Sequence, residues 1–163
     1  MRGIFRQAVL SVVVVIVSAQ PAQACWNSAG EDAVKIKHLN TMLMVTALRC
    51  RGGIDNFLPQ YNRFVTNNSA LIGSQNNVIR SHLARIGGAR GAENALDRMS
   101  IGFANSYGTG HSWMNCGDLK QLASDLSLQQ QGVATLAAAA DQTIDNVPLP
   151  GGVCATRMAT LPE

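Results

Sequence analysis

The sequence predicts an all-α protein, an up-and-down bundle of about four helices braced by two disulfides. Three observations lead there. Apolar residues recur at spacings of three and four through most of the chain, and no segment has the two-residue alternation of a half-buried strand. Four widely spaced cysteines follow what reads as an export leader, an arrangement that predicts bridges rather than free thiols.

The leader comes first. Arg2 and Arg6 form a positive start, Ala8 to Val17 form a short apolar stretch, and Ala22-Gln23-Ala24 supplies the small residues that signal peptidase requires. Cleavage after Ala24 leaves one disulfide-braced helical domain over 25–163, with an irregular tail over 146–163. The apolar stretch is too short for an ordinary spanning helix of roughly 20 residues, so no transmembrane segment is expected in the mature chain. A lipoprotein signal would place an aliphatic residue three before Cys25. Ala22 stands there, which disfavours lipidation. The compartment expected is therefore the periplasm or the cell exterior.

Removing Arg2 and Arg6 brings the formal charge from +3 to +1. That excludes the dense phosphate-contacting surface of a nucleic-acid binder.

Helix one is expected to start at Ser28, where Ser28 and Glu31 fit a capping box. Ile36, Leu39, Leu43, Ala47 and Cys50 continue its apolar stripe to the stop at Gly52-Gly53. Asp55 opens a second helix, with Pro59 tolerated near its first turn and Gly87-Gly88 ending it. One helix is preferred over two for residues 55–86. Ala92 to Tyr107 forms a third helix closed by Gly108. After the loop Gly108 to Asn115, Asn115 and Asp118 cap a fourth helix, whose apolar positions run from Leu119 to Ile144 with an interruption at Gln129.

Helix length constrains the cysteines. A helix from Ser28 to Cys50 spans roughly 33 Å, while a disulfide needs Cα atoms within about 7 Å. Cys25 therefore does not pair with Cys50. An antiparallel four-helix order favours Cys50–Cys116 with Cys25–Cys154. Two traversing helices over 55–86 would instead favour Cys25–Cys116 with Cys50–Cys154.

The sequence contains no catalytic signature, and no cofactor or metal site is expected. Gly110-His111-Ser112-Trp113-Met114 lacks the final glycine of a nucleophile elbow and has no strand before it. His38 and His82 read as boundary histidines on helices. Trp113, His111 and Tyr107, with Arg49 and Arg51 at the end of helix one, form the candidate binding patch. The function expected is that of an exported bacterial bundle with a non-enzymatic role, contacting another protein or a cell-envelope component. Two alternatives accompany it. One is a small-ligand or copper carrier using His38, Met42, Met44, His111 and Met114. The other is a hydrolase-type enzyme with a dispersed site around His111.

Overall fold

The computed structural model describes residues 25–154. The expected leader (1–24) and the end of the expected tail (155–163) lie outside the described residues. Among the described residues the fold is all-helical, with four helices: α1 (Ser28–Cys50), α2 (Leu58–Ser106), α3 (Cys116–Ser127) and α4 (Val133–Thr143). Both favoured disulfides form, Cys25–Cys154 and Cys50–Cys116.

α1 runs over the residues expected, but its cap lies one position earlier. The Asn27 side chain accepts from the Gly30 N–H, so Asn27 rather than Ser28 satisfies the free amides of the first turn. Twelve of its 23 residues are buried, as befits the central strut of a bundle. α2 likewise starts later than Asp55. Asn56 Oδ1 accepts from the Leu58 N–H, and Pro59 lies in the first turn, where its missing donor costs little.

α2 contains two arms. At Gly88 the backbone leaves the helix with φ 69° and ψ 175°, a conformation essentially restricted to glycine. The arm before Gly88 runs antiparallel to α1: Tyr61 donates to Asn40, Lys37 to Asn76, and Trp26 stacks on His82. The arm after it returns alongside α1, with Phe103 on His38 and Gly108 at Arg49. An ion pair between Arg80 and Glu93 closes the corner. The expected second and third helices are thus these two arms.

The expected fourth helix is broken into α3 and α4. The Asn115–Asp118 capping box starts α3 as read. The chain then turns over residues 128–132 because Asn68, fully buried on α2, takes the Gln131 N–H on its Oδ1 while its Nδ2 donates to the Phe64 carbonyl. Each polar atom of this buried amide is matched, as its desolvation demands. α4 then lies against α1 through Leu136, Ala137, Ala139 and Ala140, whose small side chains permit close approach.

After α4, residues 144–154 form a strap back to the start of α1. Trp26 N donates to Gly152 O, and Cys154 N donates to Trp26 O. The Trp26 indole N–H donates to Pro150 O, and the Cys25–Cys154 bridge fastens the end. The Trp26 ring also covers Gly30, where an added Cβ would meet the indole at 2.9 Å. Among the described residues there is no strand, and no helix is long and apolar enough to cross a membrane.

Candidate functional site

At the end of the bundle where α1 finishes, the second arm of α2 delivers Tyr107 and then the loop 108–115. Rings stack through this region in an unbroken series. Phe103 lies on His38 at 4.0 Å between centroids, Tyr107 meets His38 edge-on at 5.5 Å, His111 stacks on Tyr107 at 5.7 Å, and Trp113 meets His111 edge-on at 4.5 Å. The series runs from the buried core to the surface: Phe103, His38 and Tyr107 are buried, whereas Trp113 is half exposed. A cavity of about 340 Å³ opens beside it, between the loop and the end of α4. Tyr107, His111 and Trp113 line it together with Ser112, Asp145 and Asn146.

Three of the expected residues, Tyr107, His111 and Trp113, therefore share one cavity. Arg49 is adjacent; its guanidinium donates to Gly108 O and ties the loop to α1. Arg51 is exposed in the turn after α1 and lines none of these cavities.

His111 holds the loop through both ring nitrogens. Nε2 is 2.8 Å from the Thr143 carbonyl, which can only accept, so the proton is on Nε2. Nδ1 accepts from the Met114 N–H at 3.1 Å and more weakly from the Trp113 N–H at 3.4 Å. A general base needs a lone pair free to face the proton it removes. The Nδ1 lone pair of His111 is occupied by backbone amides, and the imidazole fastens the Trp113 loop to α4.

His38 and Tyr107 are positioned by burial. His38 is only 3% exposed, a correction to its expected place at the helix boundary. Its Nε2 bonds the Tyr107 hydroxyl at 3.1 Å, while Nδ1 is buried without a hydrogen-bond partner. Burial penalises the imidazolium and lowers the His38 pKa to about 4. Burial also raises the Tyr107 phenol to about 12, with Asp145 adding a smaller push in the same direction. His82 is buried too. It stacks on Trp26 at 3.8 Å, and its Nδ1 lies 3.0 Å from the Arg85 guanidinium, which donates.

The sulfur and imidazole set considered for copper does not gather at one point. Met42 is fully buried in the core and Met44 is exposed on the other side of α1. His111 is committed to the backbone. Among the described residues, no group of three His, Cys, Asp or Glu side chains is placed to hold a metal ion.

Sequence reasoning missed Asp145 and Asn146 at this cavity because they lie in the strap, which no periodicity marks. The buried register of His38 was open to detection: it lies four residues after Val34 and four before Met42, on one stripe of α1.

No protein-family model, curated protein or solved structure matches this chain.

Proposed function

We propose that this is an exported, non-enzymatic binding protein of the bacterial periplasm or cell exterior, and that the loop 108–115 is its contact region for a protein or envelope component. The observation that carries this reading is the use of His111. Both nitrogens hold the loop in place, so the effect of the imidazole is to fix Trp113 at the surface. A rigidly held, half-exposed tryptophan over a polar cavity has the character of an interface anchor, since large aromatics lose little conformational freedom on binding. Two disulfides fit an oxidising compartment, and the predicted leader over 1–24 supplies a route to it. The bridge from Cys25 to Cys154 uses the sulfur that a lipid anchor would need, which favours the unlipidated form.

The test is capture from native envelope extract on the immobilised, disulfide-intact protein. A reproducible partner should be retained by the unaltered chain and lost on Trp113→Ala, with the circular dichroism unchanged. Retention that is indifferent to Trp113→Ala, or no reproducible partner, contradicts the proposal.

A further inference from the structure

A second cavity, which shares only Ser106 with the lining of the Trp113 cavity, lies between the returning arm of α2 and the proline strap. Its volume is about 610 Å³, within the roughly 300–1,000 Å³ typical of small-molecule sites. The wall is formed by Leu83, Ala95, Met99, Phe103, Pro148 and Pro150. The remaining lining residues are Gly102, Ser106 and Arg98.

The polar groups of this wall are largely committed within the protein. The Ser106 hydroxyl donates to Gly102 O. On the strap, Pro148 and Pro150 have no N–H to offer, and the Pro150 carbonyl accepts the Trp26 indole proton. The Leu149 carbonyl accepts from the Gly152 N–H. The strap is tethered by Cys25–Cys154, so this wall does not depend on a loose segment.

Arg98 differs from the rest of the lining. It is exposed at the cavity and makes no ion pair among the described residues. Of the neighbouring acids of the same arm, Glu93 pairs with Arg80, and neither it nor Asp97 forms an ion pair with Arg98. An apolar chamber with a single unpaired cation at its edge is complementary to a molecule with an apolar body and one anionic head.

We infer that the cavity between the second arm of α2 and the Pro148–Pro150 strap binds a monomeric single-chain amphiphile with an anionic head, a medium- or long-chain carboxylate, with Arg98 taking the head. The absent side chain of Gly102 leaves the chamber open. A Cβ built there meets nothing within 4 Å, so the position accepts a larger residue that fills the space without displacing the helix.

The test is calorimetric titration of the full, disulfide-intact chain with decanoate, decanol and decyltrimethylammonium below their micellar concentrations. Decanoate should saturate at one molecule per chain and bind more tightly than the cationic chain. Arg98→Gln should weaken decanoate roughly fivefold at low salt, the size of an exposed ion pair, and leave decanol unchanged. Gly102→Leu should abolish uptake of both, with the helical signal and melting temperature retained. Should that variant fail to fold, Ala95→Leu, two turns earlier on the same face, replaces it. The inference is overturned if the filled variant binds decanoate undiminished, if the anionic and cationic chains bind equally, or if no saturable uptake occurs. Sedimentation with anionic phospholipid vesicles without uptake of soluble decanoate also overturns it, because it assigns this face to a bilayer rather than to a monomer.

Discussion

Acidification below about pH 6.5 should destabilise this fold through His38. The ring is 3% exposed, stacked on Phe103 and bonded to Tyr107, and burial lowers its pKa from the ordinary 6.5 to about 4. Above about pH 6.5 both folded and unfolded chains hold this imidazole neutral, so it contributes no pH dependence. Between about 6.5 and 4 the unfolded chain binds the proton and the folded chain does not. Stability attributable to His38 therefore falls as pH falls through that window. The loss is about 2 kcal/mol at pH 5 and about 3 kcal/mol once the pH reaches the folded value, at roughly 1.4 kcal/mol per unit. Urea unfolding between about pH 7.5 and 4.5, compared with His38→Gln, isolates this part from other titrating groups. The difference between the two proteins should be constant above pH 6.5 and shift by about 2 kcal/mol against the unaltered chain at pH 5. Parallel curves over the whole range, or a His38 ring resonance that titrates near 6.5 in the folded protein, would refute the reasoning.

Other residues give independent checks. Gly88→Ala should destabilise by about 1–3 kcal/mol, because φ 69° with ψ 175° is closed to side chains, whereas Gly87→Ala, with open space around it, should be neutral or stabilising by up to about 1 kcal/mol; equal effects in thermal unfolding contradict the corner. Asn68→Ala removes both ends of a buried hydrogen-bonded link and should cost about 2 kcal/mol, with faster amide exchange at Gln131. Replacing Cys50 and Cys116 together by serine opens a loop spanning 66 residues and should cost up to about 4 kcal/mol by the chain-entropy estimate. Tyr107 should remain a phenol at pH 10 while the fold persists, and its ionisation towards pH 12 should accompany loss of stability; an absorbance titration showing half its tyrosinate at pH 10 with an intact fold contradicts that.

Features with strong local causes were legible in the sequence. The extent of α1, the corner at Gly87-Gly88, the Asn115–Asp118 cap and the exclusion of a Cys25–Cys50 bridge follow from glycine, capping and helix length, each acting within a few residues or along one helix, whereas the choice between the two remaining cysteine pairings depended on the order of the helices in the bundle. The break between α3 and α4 showed only as an interruption at Gln129 within one expected helix, because apolar positions continue on both sides of it. It is fixed by Asn68, some 60 residues away in the chain, and local patterning does not contain that hydrogen bond. His82 was misplaced for the same reason, since the Trp26 ring that stacks on it comes from 56 residues earlier in the chain. At the candidate site the grouping of Tyr107, His111 and Trp113 was accessible from their proximity in the chain. The Thr143 carbonyl that converts His111 into a fastening was not.

The most direct test of the binding role is site-specific photocrosslinking in intact cells, with the reactive residue placed at exposed Ser112 beside Trp113 and, as a control, at exposed Asn77 near the α2 corner. A discrete adduct is predicted at position 112 alone, disappearing when Trp113→Ala is added to the same chain. No adduct at 112, or equal adducts at 112 and 77 that persist without Trp113, would contradict the assignment of this loop as the contact surface.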